Sequence, residues 1–338
     1  MRAFLPTAEM CRLFAMSGGV QPLSAEFWLL DAPDSLSVES HRNPEGTGLG
    51  IFDPEGRAVV HKAPISAFSD TAFATEARVE RSRTFLAHVR FATTGAVTCA
   101  NTHPFEQDGR LFAHNGMVAD LPRLDDELGN DRALVDGETD SERLFALVTR
   151  ETGRREGDAL AGLTAAVNWV AEHLPVYSLN LILTTEDDLF ALRYPDTHTL
   201  YLLDRAAGGH RGGQPLDHRS SLGSHVHSED AAQRPVVVLA SEPMDHDPGW
   251  RALQPGELLH VNRDLEISST IALPRPPIRQ LTREDLDDRR MAAQAPGSTA
   301  EGKQMSRRTA NAAPREAERP PSRGLSPNTT VTEQKESK

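Results

Sequence analysis

Short apolar runs separated by turn signals recur along the first 275 residues of the chain. Runs of this length, bounded by glycine, proline or aspartate, are typical of β-strands. The pattern therefore predicts a strand-rich fold. The predicted strands lie in 13–19, 49–61 (two strands joined by a turn at DPEG), 85–93, 110–118, 178–185, 187–195, 199–204, 234–241 and 256–262.

Three other stretches favour helices. Residues 22–32 carry apolar side chains at helical spacing, and residues 158–174 form a long alanine-rich segment. Residues 139–151 start with a capping-box signature, in which Thr139 is the N-cap and Glu142 follows three residues later.

Residues 206–234 interrupt this pattern, because they are rich in glycine, serine and histidine and nearly lack large apolar residues. We predict a mobile loop here. The alternative is a metal site formed by His210, His218, His225 and His227. Only the last two are close in sequence, and no cysteine or rigid spacing supports them. We therefore expect no bound metal.

Residues 276–338 are polar, contain several prolines and have few aliphatic clusters. Such a segment cannot bury enough apolar area to offset the entropy lost on ordering. We predict a disordered tail over 276–338, an ordered domain over 11–275, and a leader, propeptide or wrongly assigned start over 1–10.

The net charge of −13 argues against nucleic acid or an anionic membrane surface as a partner. No apolar run approaches the roughly 20 residues that a membrane span needs. The two cysteines, Cys11 and Cys99, give no disulfide framework and suit a reducing cytoplasm. A lipoprotein signal is the alternative for Cys11, but Glu9 does not suit a cleavage site that follows an apolar run.

Candidate chemistry is concentrated in a few short strings. They are MCRLF (10–14), HVRFATTG (88–95) followed by NTHPF (101–105), FAHNGM (112–117) and GETDSE (137–142).

Cys11 would carry an α-amine beside its thiol if it became the first residue. That amine has a pKa of about 8 and can act as general base for the adjacent nucleophile. The preceding residues must then be removed, because an amide nitrogen cannot accept the proton. The alternative is a small buried apolar residue at the start of a strand.

Arg90 stands in a strand-like run that is otherwise suited to burial. Its planar guanidinium matches a carboxylate, so Arg90 is a candidate clamp for a substrate carboxylate, with the Thr93 hydroxyl nearby. An edge-strand arginine in water is the alternative. Asp140 could accept a substrate ammonium, or could simply be a first-turn helix acid favoured by the helix dipole.

Asn115 and Gly116 form an Asn-Gly pair, so a hairpin turn just after a shorter strand is one interpretation. The other is an oxyanion hole, in which the Asn115 amide and the Gly116 backbone N–H are the two donors. With a nucleophile, a carboxylate clamp and an ammonium acceptor, the matching ligand has an α-amino acid head and an amide further along. A γ-glutamyl amide has that shape.

These strings resemble the class II glutamine amidotransferase domain of the N-terminal-nucleophile hydrolases. That family starts with Met-Cys and then shows Arg-aromatic-Ala-Thr, His-Asn-Gly and Glu-Thr-Asp, in the order found here. Each string alone is weakly specific, whereas four in order are strong. The resemblance covers roughly residues 10–270.

The resemblance implies a role for each matching residue. Cys11 would be the nucleophile and its amine the base, Asn115 and Gly116 the oxyanion hole, Arg90 with Thr93 the carboxylate site, and Asp140 the ammonium site. The implied fold is α+β, a four-layer αββα sandwich of two mainly antiparallel sheets.

The chain departs from family members that feed a synthase, because Thr94 stands where those often have histidine and no acceptor-binding domain is evident. It looks more like the standalone branch, which hydrolyses γ-glutamyl compounds in ergothioneine synthesis and glutathione breakdown. HRNPEGTGLGIF (41–52) and SEPM (241–244) are similar to segments of that branch.

We therefore expect an enzyme that cleaves a small-molecule γ-glutamyl amide through a cysteine thioester and releases glutamate without a cofactor. One alternative is a glutaminase subunit that supplies ammonia to a synthetase partner. The other is a non-catalytic γ-glutamyl-binding protein, if the leader is retained. Cys11 would become the first residue by translation from Met10 or by removal of a propeptide.

Overall fold

All of the predicted strands form, and they lie in two antiparallel β-sheets in the computed structural model. It describes residues 11–41, 45–90, 96–207, 209, 216–219, 225–228 and 234–285. The strands are β1 (Arg12–Ser17), β2 (Thr47–Phe52), β3 (Ala58–Ala63), β4 (Thr84–Val89), β5 (Phe105–Gln107), β6 (Arg110–Val118), β7 (Pro175–Thr184), β8 (Leu189–Leu192), β9 (Tyr201–Arg205), β10 (Leu216–Arg219), β11 (His225–Ser228), β12 (Val236–Ala240), β13 (Arg251–Ala252), β14 (Glu257–Val261), β15 (Ile267–Ile271) and β16 (Arg279–Gln280).

The first sheet has the strand order β13–β9–β12–β1–β4–β2–β3, and the second has the order β15–β14–β8–β7–β6–β5. Strand β16 pairs with the start of β7 in parallel, and β10 pairs with β11 as a separate antiparallel unit. The helices are α1 (Leu36–Glu39), α2 (Thr71–Val79), α3 (Leu121–Leu128), α4 (Asp140–Gly153) and α5 (Ala159–His173).

Side-chain alternation along the strands divides the core into three apolar layers. On β1, Leu13 and Ala15 face the second sheet, whereas Phe14 and Met16 face the outer layer that contains α2. On β6, Leu111 and Ala113 face the first sheet, and Phe112 faces α4 and α5.

Each sheet is therefore covered by helices on its outer face, and the two sheets pack on one another. The predicted four-layer αββα sandwich is confirmed.

Two predicted helices are confirmed as α4 and α5, but the helix predicted over 22–32 is wrong. Only a single π-helical turn, Phe27–Asp31, forms there. Phe27, Trp28 and Leu29 are all buried. Leu23, inside the predicted helix, instead forms an antiparallel β-bridge with Ser82, so helical structure is confined to the turn that follows.

Only half of the predicted capping box is made. Thr139 Oγ1 accepts a hydrogen bond from the Glu142 backbone N–H at 3.2 Å. The Glu142 carboxylate instead accepts from the backbone N–H groups of Asp136 and Gly137, at 3.0 and 2.7 Å. Glu142 thus fixes the loop that leads into α4.

Ordered structure extends past the predicted boundary at residue 276. Arg279 pairs with Pro175 and Gln280 pairs with Val176, and Leu281 is buried. The predicted leader over 1–10 and residues 286–338 of the predicted tail lie outside the described residues, as does most of 206–234.

No helix in the described part of the chain has the length and apolar character needed to cross a membrane.

Candidate active site

Cys11 and Arg90 lie at the same end of the β1–β4 strand pair. Arg12 is paired with Val89, so the residue before β1 and the residue after β4 are neighbours. Leu13 faces the second sheet, and so by alternation does Cys11, two residues earlier. Leu86 likewise places Arg90 on the inner face of β4.

Asn115 reaches this end from the opposite sheet. Its side-chain Nδ2 donates a 2.9 Å hydrogen bond to the backbone carbonyl oxygen of Cys11. Asn115 lies within β6, where it is paired with Asn180 of β7. The hairpin-turn interpretation of Asn115–Gly116 is therefore wrong. A primary amide has two N–H donors, so one remains for a ligand after the bond to Cys11.

Gly116 is held where no side chain fits. A Cβ atom there would lie 2.0 Å from the Ser178 carbonyl oxygen and 2.6 Å from His114 Nε2. Real Cβ atoms essentially never approach so closely. The glycine therefore lets β6 and β7 pair tightly directly beside Asn115.

Arg90 is 3% exposed, which excludes the edge-strand arginine in water. Its Nη1 donates to the Ala96 carbonyl oxygen at 3.2 Å, and the Asn101 amide donates to the same oxygen at 3.1 Å. The Glu138 carboxylate in turn accepts from the Ala96 backbone N–H and from Asn101. The guanidinium is thus oriented by a network of hydrogen bonds. Thr93 lies outside the described residues.

Asp140 is the first residue of α4, and its side chain is buried. Its Oδ2 accepts a 2.9 Å hydrogen bond from the Val118 backbone N–H at the end of β6. The carboxylate is therefore both a first-turn helix acid and a group fixed against the strand that carries Asn115. Asn115 lies on β6, and Asp140 is bonded to Val118, three residues further along the same strand.

His114 connects these two groups from the outer face of β6. Its Nε2 lies 3.2 Å from the Ser178 carbonyl oxygen, and its Nδ1 lies 3.0 Å from Ser141 Oγ. A carbonyl oxygen only accepts, so Nε2 carries the proton and Nδ1 accepts from the serine. Burial lowers the pKa of His114, and the nearby Asp140 opposes that shift. The neutral imidazole joins α4 to the β6–β7 pair.

His88 and His103 form a pair of buried histidines next to Arg90. Their ring centroids are 4.3 Å apart, and no ring nitrogen of either has a hydrogen-bond partner in the described residues. Burial lowers the pKa of His88 to about 3, with smaller effects from Arg90 and His114. Burial also lowers the pKa of His103.

Sequence reasoning missed Asn101, Glu138 and His114, although all three lie inside the quoted strings. The signal available in the sequence was a polar residue inside an apolar, strand-like run or directly before a predicted helix. Among the described residues, no group of three or more His, Cys, Asp or Glu could hold a metal ion. The four-histidine alternative rests on side chains outside the described set.

Comparisons with known proteins agree with this geometry. Residues 10–284 match the family described as glutamine amidotransferases class-II. The chain is 31% identical over 273 residues to the gamma-glutamyl-hercynylcysteine sulfoxide hydrolase of Mycolicibacterium smegmatis, covering 77% of this chain and 99% of that protein. It is 29% identical over 258 residues to the putative glutamine amidotransferase YafJ of Escherichia coli, covering 73% of this chain and 96% of that one.

The fold is also similar to that of the glutamine phosphoribosylpyrophosphate amidotransferase from B. subtilis, with a TM-score of 0.55 and 19% identity. That match covers 79% of this chain, which spans only 50% of the amidotransferase. Fold and sequence together define an enzyme of the N-terminal-nucleophile hydrolase type. Within that type, the chain belongs to the class-II glutamine amidotransferases.

Proposed function

We propose that this enzyme hydrolyses a γ-glutamyl amide bond, with Cys11 as the nucleophile, and releases glutamate. The observation that carries the proposal is the hydrogen bond from the Asn115 amide to the Cys11 backbone carbonyl oxygen, which joins an amide donor of the second sheet to the cysteine that precedes β1. The buried Arg90 follows β4, the strand paired with β1, and the buried Asp140 is bonded to the end of β6.

Recognition rests on the two charged groups. Arg90 holds the α-carboxylate of the γ-glutamyl group through its planar guanidinium, aided by Thr93, and Asp140 accepts the α-ammonium. Because both side chains are anchored by backbone contacts, they meet the ligand without first ordering themselves.

The chemistry uses an acyl-enzyme. The Cys11 α-amine takes the thiol proton, and the thiolate attacks the γ-carbonyl carbon. The Asn115 amide and the Gly116 backbone N–H stabilise the oxyanion. The amine leaves after receiving the proton, and water then hydrolyses the thioester to glutamate. The active form must start at Cys11, because only an unacylated amine can act as the base.

The leaving amine belongs to a small γ-glutamyl compound. The relative from Mycolicibacterium smegmatis is named as a hydrolase of a γ-glutamyl conjugate of a cysteine derivative, and this chain matches nearly its full length. That likeness favours γ-glutamyl conjugates of sulfur-containing amines over an ammonia-channelling reaction.

The test is glutamate release by protein that starts at Cys11, with glutamine and γ-glutamyl-cysteine conjugates as substrates. Cys11→Ala should abolish release from every substrate. Cys99→Ala is the matched control, because Cys99 is exposed and should be dispensable. Release that persists in Cys11→Ala, or that requires an added synthetase, would overturn the proposal.

A further inference from the structure

Ser241 makes two hydrogen bonds to Leu13, the second residue after the nucleophile. The Leu13 backbone N–H donates to Ser241 Oγ at 2.9 Å, and the Ser241 N–H donates to the Leu13 carbonyl oxygen at 3.1 Å. Phe14 pairs with Ala240 in the regular β1–β12 ladder. Ser241 follows the end of β12 and extends the β1–β12 pairing to Leu13, with its side-chain hydroxyl accepting one of the two hydrogen bonds.

Glu242 contacts the residue directly after the nucleophile. Its carboxylate forms an ion pair with Arg12 Nε, and Arg12 Nη2 lies 3.1 Å from Glu39 Oε2 of α1. Arg12 is 4% exposed, so its guanidinium is held between two carboxylates on the outer face of the first sheet. The Ser241–Glu242 dipeptide thus grips Leu13 through the backbone and Arg12 through the side chain.

The same serine also connects the two sheets. Thr199 Oγ1 donates to the Ser241 carbonyl oxygen at 2.8 Å, and Asn180 Nδ2 donates to the Thr199 carbonyl oxygen at 3.0 Å. Asn180 is the strand partner of Asn115. A path of hydrogen bonds therefore runs from β1 to β7 directly beside the bond between Asn115 and Cys11.

We propose that Ser241 and Glu242 are positioning residues that set the distance between the Cys11 nucleophile and the oxyanion donors. The proposal rests on the proposed function, in which Cys11 attacks the γ-carbonyl carbon. The Asn115–Cys11 bond fixes one point of the β1 terminus, and the Ser241–Glu242 grip fixes the next two residues. Without the grip, this terminus keeps only its pairing with β4 and the Asn115 contact, and it can pivot about them.

Such a pivot moves the nucleophile but not the groups that hold the glutamyl head. Arg90 and Asp140 are anchored by hydrogen bonds to Ala96 and Val118, and Ser241 takes part in neither bond. A displacement of about 1 Å at a reacting group can cost on the order of 100-fold in rate. Loosening β1 should therefore lower kcat and leave KM for the glutamyl group unchanged.

The experiment compares Ser241→Ala with Ser82→Ala as a matched control. Ser82 is also buried, and its Oγ exchanges hydrogen bonds with the Phe52 backbone at 3.1 and 3.0 Å, at the opposite end of the same sheet. Both variants lose a serine that holds a strand. We expect kcat to fall about 10- to 100-fold in Ser241→Ala only, with KM within about twofold of wild type. Ser241→Thr keeps the hydroxyl and should recover most of kcat.

Glu242→Gln is tested with Glu151→Gln as its control. Glu151 is a largely buried carboxylate that pairs with Arg155 at 2.6 Å, eleven residues along α4 from Asp140. We expect a lower kcat only in Glu242→Gln. If Ser241→Ala does not fold, Glu242→Gln still tests the positioning role. Its kcat and the rate at which iodoacetamide alkylates its Cys11 are then compared with those of wild type.

Equal kcat values in Ser241→Ala and Ser82→Ala, or a change confined to KM, would overturn the positioning role. That result, together with a Cys11-dependent wild-type reaction, would leave the proposed function standing. An active Cys11→Ala enzyme would instead defeat the proposed function itself.

Discussion

Asn115 of β6 donates its side-chain Nδ2–H to the carbonyl oxygen of Cys11 at 2.9 Å, although the two residues are 104 positions apart and belong to different sheets. The bond lies at one end of the apolar layer between the two sheets. Leu13 and Leu111 are members of that layer. The geometry of the candidate site therefore depends on how the two sheets are stacked, and not on one local loop.

Replacing Asn115 with alanine removes the proposed oxyanion donor and the link to Cys11. We expect kcat for glutamate release to fall about 100- to 1,000-fold, with a small change in KM. Asn168→Ala is the control, because its amide bonds only the Thr164 carbonyl oxygen within α5 among the described contacts. Steady-state kinetics of the two variants check this, and equal activity would contradict the oxyanion role.

Gly116→Ala should damage both fold and activity. The new methyl group would meet the Ser178 carbonyl oxygen at 2.0 Å, so β6 and β7 must separate. We expect a loss of about 1–3 kcal/mol in unfolding free energy, together with a lower kcat. Gly153→Ala at the end of α4 meets nothing within 4 Å and should be neutral or stabilising by up to about 1 kcal/mol. Urea titrations of both variants give the comparison.

Asp140→Asn separates the charge of the side chain from its structural contact. The asparagine oxygen can still accept from the Val118 N–H, but the negative charge that we propose binds the substrate ammonium is lost. We expect KM to rise about 10-fold or more while the melting temperature changes little. Asp125→Asn, which loses ion pairs to Arg132 and Arg143 instead, should lower stability and leave KM alone.

Arg90→Lys keeps a positive charge but loses the planar, bidentate geometry. We expect KM to rise about 10-fold or more, because a lysine ammonium cannot match both carboxylate oxygens at once. Arg154→Lys, at the exposed position directly after α4, is the control. An Arg90→Lys enzyme with wild-type KM would show that the guanidinium does not bind substrate.

Stability should fall in acid because of His88. Burial lowers its folded-state pKa to about 3, whereas the unfolded chain binds that proton near pH 6.5. The unfolded state therefore binds more protons between pH 6.5 and 3, and the free energy of unfolding drops as pH falls through this window. One such histidine contributes up to about 1.4 kcal/mol per pH unit.

His88→Phe tests that contribution, since the ring nitrogens of His88 have no partner in the described structure. In denaturant titrations from pH 7 to pH 4, the free energy of unfolding of His88→Phe should change less with pH than that of wild type. His246→Gln, at an exposed position, should leave the slope unchanged. Identical slopes for His88→Phe and wild type would contradict the assignment.

Short apolar runs bounded by turn signals were enough to predict most strands. The run 110–118 coincides with β6 because Leu111, Phe112 and Ala113 serve two core layers in turn. The sheet order was not predictable from the sequence alone, because β1 pairs with β12 and β4 through contacts far apart in the chain. The four layers came from the family resemblance.

The residues of the candidate site were likewise predictable only in part from the sequence. The short strings indicated Cys11, Arg90, Asn115 and Asp140, because a thiol, a charged group or a hydrogen-bond donor stands there beside apolar or turn-forming residues. Ser241 was quoted within SEPM, but nothing in its sequence indicates that its hydroxyl continues the β1–β12 ladder. Such positioning roles depend on tertiary contacts and become visible only in the structure.

The central claim is that Cys11, as the first residue of the active enzyme, carries the γ-glutamyl group. The most direct test is mass spectrometry of enzyme quenched during turnover, with peptide mapping of the acylated residue. We predict a γ-glutamyl thioester on a peptide that begins at Cys11, absent in Cys11→Ala and removed by hydroxylamine. Acylation elsewhere, or on Cys11 still joined to residues 1–10, would contradict the account.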